Sequence, residues 1–177
     1  VSTVVGIDPS LTSLGLCGIV DGVIGNTSRV RSKGKEDATL AQRDARRSII
    51  MVAVMAYVDL YQPDLVCIEG PSYASRNGHP HDRSGLWWGL VADLLAYGCV
   101  VVEVPPTNRM KYATGKGMIA KDMVLAAAIK RYPEANITGN DEADAVIIAA
   151  MGARHLGEPV EASMPKVNLD AMKAVHW

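Results

Sequence analysis

The chain has 177 residues, 49% of them hydrophobic and 21% charged, with 18 basic residues against 19 acidic ones and a net charge of −1. This length supports one domain with a sizeable core, and no apolar run is long enough to cross a membrane. The balance of charge does not announce a nucleic-acid binder, the chain opens without a basic-then-apolar leader, and Cys17, Cys67 and Cys99 lack metal-ligand or paired spacing, so they read as buried reduced thiols of a cytoplasmic protein.

Residues 3–8 form a β-branched strand that ends in Asp8, and Pro9 and Ser10 follow at once. A carboxylate is thereby set at the mouth of a sheet, where the turn leaves it reachable. Residues 14–20 and 23–30 read as two more strands, joined by the hairpin signal Asp21-Gly22. Arg29, Arg31, Lys33 and Lys35 then make a basic block without an acid. Residues 36–61 read as a long helix, basic early at Arg43, Arg46 and Arg47, and stopped by Pro63. Residues 65–69 are a short buried strand that closes on Glu69, again followed by a turn at Gly70-Pro71.

Residues 70–84 have the composition of a loop, long enough to be functional. His79 and His81 lie in it, but an i, i+2 pair without a third ligand is not a metal site. Residues 85–97 are an apolar helix closed by Gly98. Trp87 and Trp88 are adjacent and point to different sides of it, one to the core and the other a candidate dimer contact. Residues 99–104 are a strand. Pro105-Pro106 opens a loop to about residue 117 that carries Arg109, Lys111 and Lys116 and no acid, with Lys121 just beyond. Residues 119–132 form a helix ended by Pro133, and 141–156 form the last clear helix. Residues 1–157 make the domain, and the tail 158–177 is expected to pack loosely.

Three strands with tight connections followed by alternating helix and strand predict an α/β fold. Its mixed five-stranded sheet has an antiparallel meander continued by parallel strands, flanked by helices. In such a sheet the first strand and the strand of Glu69 can be neighbours, with both acids at one edge. Asp141 and Asp144 are three residues apart at a helix start and share a face, whose N-terminal position favours their ionised forms. Asp8, Glu69, Asp141 and Asp144 then make a cluster that repels itself unless divalent metal binds. Carboxylate oxygens suit Mg²⁺ or Mn²⁺, and two such ions roughly 3.5–4 Å apart would clamp the attacking water and leaving oxygen of a phosphodiester. Basic blocks beside these acids fit an enzyme acting on a polyanion.

These motifs resemble the RuvC-type Holliday junction resolvases of the RNase H-like superfamily. Gly6-Ile7-Asp8-Pro9 with Gly15 is similar to the family's first motif and Ile68-Glu69 to its second. Thr114-Gly115-Lys116-Gly117 with Ala120-Lys121 is similar to its basic third region, and Asp141-Glu142-Ala143-Asp144-Ala145 to its closing Asp-x-x-Asp-Ala. The small size and divergent loops look more like a phage-encoded member. Where the family usually has Gly, this chain has Ser10, and it has no Phe for the aromatic often placed after the second acid.

The resemblance implies a homodimeric, Mg²⁺-dependent endonuclease that nicks four-way DNA junctions in pairs, leaving 5′-phosphate and 3′-hydroxyl ends. It implies catalytic roles for Asp8, Glu69, Asp141 and Asp144, which hold two ions, and for Lys121 at the scissile phosphate. Lys111, Lys116 and Lys121 are expected on the DNA backbone, with Arg76 and Arg109 as further basic candidates and Tyr73 as the aromatic near the junction centre. A broader flap and fork nuclease and a non-catalytic junction-binding module are the alternative readings.

Overall fold

The computed structural model describes residues 1–71 and 79–177. Strand β1 (Thr3–Asp8) pairs antiparallel with β2 (Ser13–Val20), and β2 pairs antiparallel with β3 (Val23–Arg31). Asp21 and Gly22 turn the β2–β3 hairpin with positive φ angles of 49° and 72°, as a two-residue turn matched to strand twist requires. Helix α1 (Leu40–Tyr61) crosses over to β4 (Leu65–Glu69), which lies parallel to β1. Helix α2 (Pro80–Tyr97) crosses to β5 (Val101–Val104), parallel to β4. The spatial order is β3-β2-β1-β4-β5, the mixed sheet that the order of elements predicts.

Element ends differ from the sequence expectation for local reasons. Helix α1 starts at Leu40 and not at residue 36, because Thr39 and Gln42 close a capping box. Helix α2 starts at Pro80, so residues 80–84 are helical and not loop. The segment expected to be a loop from Pro105 holds helix α3 (Pro106–Thr114). In both cases a proline occupies the first turn, where its missing N–H costs nothing. Gly115, at φ 81°, ends α3. Helices α4 (Lys121–Arg131) and α5 (Asn140–His155) follow.

The C-terminal segment does not pack loosely. It forms the short helix α6 (Lys166–Leu169) and a 3₁₀ turn (Asp170–Ala174), and it buries Glu161, Asn168, Ala171 and Val175. Asn108 Nδ2 donates to the Ala171 carbonyl at 2.7 Å, and Asn168 Nδ2 to the Tyr112 carbonyl at 2.8 Å. The segment thereby clamps α3.

Side chains alternate across the sheet. Val5, Ile7, Leu14, Leu16, Val66 and Ile68 pack with α1 and α2, whereas Val4, Cys17, Ile19, Leu65 and Cys67 pack with α3, α4 and α5. Counting on by twos puts Asp8 and Glu69 on the α5 side. Helix α5 is buried from residue 142 to 153 and lies directly on β1 and β2. Two glycines allow this approach. A Cβ at Gly6 would fall 2.3 Å from the Ala145 carbonyl oxygen, and one at Gly15 only 2.0 Å from that of Asp141. Either would push the first turns of α5 away from the sheet edge.

Candidate active site and metal centre

Ile7 pairs with Ile68 in the parallel β1–β4 ladder, so the next residues, Asp8 and Glu69, end adjacent strands side by side. Trp87 Nε1 donates to the Glu69 carbonyl at 2.9 Å and fixes the end of β4. Asp144 reaches the same place from the second turn of α5. One carboxylate oxygen from each of Asp8, Glu69 and Asp144 lies within 4.8 Å of the others.

The guanidinium of Arg109, on α3, enters this group. Its Nη2 donates to Glu69 Oε1 at 3.2 Å and its Nη1 to Asp144 Oδ1. Among the described residues three acids gather around one guanidinium, with Lys121 acting on Asp144 by its charge alone, so the centre is short of positive charge. Burial holds the Asp8 carboxyl well above the usual carboxylate range, and the charges of Glu69 and Asp144 push it further, against the pull of Arg109. Burial likewise raises Asp144 to about 7, although Arg109 and Lys121 pull it down. An all-oxygen donor set with excess negative charge fits a hard divalent cation such as Mg²⁺ or Mn²⁺.

Asp141 does not join the three. It accepts a 2.5 Å hydrogen bond from Ser13 Oγ and faces Arg29 Nη1 at 3.8 Å. Three residues turn a helix by about 300°, so Asp141 and Asp144 diverge by about 60°, which sends the first toward β2 and β3 and the second toward β4. Glu142 is buried against Arg29 Nε at 3.2 Å and Thr138 Oγ1 at 2.9 Å. Ser13, Arg29 and Trp87 are contributors that sequence reasoning missed. Strand pairing and helix packing bring them in, and no local motif marks them.

The basic residues separate. Lys121 is exposed at the start of α4, and its charge acts on Asp144. Lys116 is exposed between α3 and α4, whereas Lys111 is half-buried in the last turn of α3, where its charge reaches Asp170. Arg109 departs from its expected place on a DNA backbone. It is 7% exposed, and two carboxylates engage its guanidinium. Tyr73 and Arg76 lie outside the described residues.

No family model matches the chain. It is 31% identical over 156 residues to the crossover junction endodeoxyribonuclease RuvC of Acidiphilium cryptum, covering 86% of this chain and 91% of that protein. The fold is similar to the RuvC structure of Thermus thermophilus, with a TM-score of 0.69 and 20% identity over 88% of this chain and 97% of that one. The same bacterium's RuvC in complex with a Holliday junction substrate matches at 0.69 and 18%, over 89% and 98% of the two chains. The yeast mitochondrial Holliday junction resolvase Ydc2 matches at 0.58 and 14%, over 84% and 77%.

Proposed function

Since the chain belongs to the RuvC family of crossover junction endodeoxyribonucleases, we propose that it resolves four-way DNA junctions by hydrolysing one phosphodiester in each of two opposed strands, leaving 5′-phosphate and 3′-hydroxyl ends. The observation that carries this reading is the convergence of Asp8, Glu69 and Asp144 at one sheet edge. Asp8, Glu69 and Asp144 would hold the divalent metal, Mg²⁺ or Mn²⁺ in a two-ion set, with Asp8 as its central ligand. When bound, these ions supply Lewis acidity at the phosphate and a water of lowered pKa. Asp141, held by Ser13 and Arg29, would orient the metal-holding set from beside it. Lys121 faces the charge that develops on the phosphate, while Lys111 and Lys116 hold the backbone further along. Selectivity comes from the shape and deformability of the branch more than from base reading.

The chain acts as a homodimer, which sets two active sites on two opposed strands. The outer sides of α1 and α2 support this: Ile49, Val52, Trp88 and Leu95 are exposed large hydrophobic residues on these two packed helices. The three free, buried thiols suit the reducing cytoplasm of a bacterial or phage-infected cell. No helix among the described residues is long and apolar enough to cross a membrane.

Incubating the protein with a mobile four-way junction beside a flap substrate, with Mg²⁺ and Mn²⁺ varied, tests the proposal. Paired, metal-dependent nicks in the junction support it. Faster cutting of the flap would move the reading to a general branched-DNA nuclease. Binding without nicking in any metal would overturn it.

A further inference from the structure

Arg109 is an unusual residue to bury. Helix α3 otherwise sends Tyr112 and Ala113 into the core, and a buried guanidinium is expected to have its donors satisfied. Here Nη1 and Nη2 bind Asp144 and Glu69, while the buried Nε has no partner among the described residues. Among the described residues, the two carboxylates are thus its anchors. Glu69 and Asp144 belong to the same three-acid group that fits a divalent cation. A guanidinium and a metal ion are both positive and cannot take the same lone pairs.

Withdrawal of the whole helix does not relieve this conflict. Helix α3 is tied to α4 by Arg131, which donates to the carbonyls of Tyr112 at 2.9 Å and Ala113 at 2.8 Å. It is tied to the C-terminal segment by Asn108 and Asn168. What can move is the Arg109 side chain.

We infer that Arg109 is a built-in counter-cation of the carboxylate centre, which competes with divalent metal for Glu69 and Asp144 and holds the acids together when no metal is bound. The inference rests on the metal-centre reading above. Its consequence is a raised metal threshold: the site fills only at concentrations above those that the bare carboxylates would need.

Mn²⁺ binding by calorimetry and thermal melting in chelator, on the wild type, Arg109→Met and Arg109→Lys, test it without reference to cleavage. Removing one positive charge beside the site is expected to tighten Mn²⁺ binding by Arg109→Met about tenfold. In chelator the same variant is expected to melt roughly 5–10 °C below wild type, and saturating Mn²⁺ should close that gap. Arg109→Lys, which keeps the charge but loses the two-armed contact, should fall between. A folded Arg109→Met protein that binds Mn²⁺ no tighter than wild type overturns the inference. If Arg109→Met does not fold, Arg109→Lys decides, and Mn²⁺ binding at or below wild-type strength overturns it. A wild type that binds no Mn²⁺ refutes the metal-centre reading itself, and the inference falls with it.

Discussion

Two groups of enclosed carboxylates, one in the C-terminal segment and one at the sheet edge, differ in how fully their charge is answered. In the C-terminal segment Glu161 is 8% exposed, and it accepts hydrogen bonds from Tyr112 Oη at 3.1 Å, from Tyr132 Oη, and from Arg154 Nη2 at 3.0 Å. One acid has a guanidinium and two hydroxyls to itself. At the sheet edge Glu69 and Asp144 share the guanidinium of Arg109, and Asp8 beside them feels only its charge among the described residues. The difference teaches how to read a buried acid. A carboxylate whose lone pairs are matched by donors holds elements together. Carboxylates that outnumber their donors, and whose protons are held tightly in consequence, mark a place built for a further cation.

The largest expected effect breaks the under-compensated centre. Asp8→Asn keeps the size and the strand end but removes one of the three carboxylates that would hold the metal. Cleavage of a four-way junction should fall by about 10³-fold or more, with junction binding and the melting temperature close to wild type. Unchanged cleavage would remove Asp8 from the site.

Glu161→Gln probes the matched centre and should do the reverse. Arg154 would be left with a neutral partner, and breaking a buried pair from one side costs about 3–5 kcal/mol. That corresponds to a melting temperature roughly 6–20 °C lower for a domain of this size. The cleavage rate at low temperature should be largely retained. A loss of cleavage without a loss of stability would show that the C-terminal segment belongs to the active site.

pH separates the centres a third time. The Asp144 carboxyl is raised from 3.8 to about 7 in the folded protein. The folded state therefore keeps a proton that the unfolded chain releases above about pH 4. In chelator, the stability owed to Asp144 is full below that point and is lost as pH rises toward 7. Metal binding has the opposite sign, because the ion must displace the proton. At fixed, subsaturating Mg²⁺ the cleavage rate should rise with pH, by up to about tenfold per unit, and level off above about 7. A profile that is flat between pH 5.5 and 7 would contradict the burial of Asp144.

Much of this centre is legible before the fold is known. Asp8 and Glu69 each close an apolar strand at a turn, and an acid in a strand interior has few structural uses. The order of elements makes those strands neighbours, as the β1–β4 pairing shows. What sequence reasoning misplaces depends on tertiary contacts. The Pro105-Pro106 pair reads as a loop and in fact starts α3. Without that helix, Arg109 looks like one more cation in a basic stretch. Ser13 and Arg29 reach α5 only through the pairing of β2 with β1 and β3. Glu161 lies in a proline-bearing tail without periodicity, and its three donors come from α3, the C-cap of α4, and α5.

Asp141 falls between the two kinds of centre, and Ser13→Ala sharpens where it belongs. Its carboxylate has a hydroxyl donor at 2.5 Å and a guanidinium at 3.8 Å, so it has a donor outside the three-acid group and is less enclosed than Glu161. If Asp141 is matched in the manner of Glu161, loss of the Ser13 hydroxyl costs about 0.5–1.5 kcal/mol of stability and leaves cleavage unchanged. If it borders the ions, the same loss frees the carboxylate to swing, and misplacement beside the reacting centre is felt in the rate. The expected outcome is the second: cleavage lower by about three- to tenfold, since disturbing a partner that orients a ligand typically costs 10–100-fold and Arg29 still restrains Asp141. The requirement for Mg²⁺ should rise in parallel, and the melting temperature should move by only a few degrees. A stability loss alone would move Asp141 to the structural side of the comparison and leave Asp8, Glu69 and Asp144 as the whole of the metal centre.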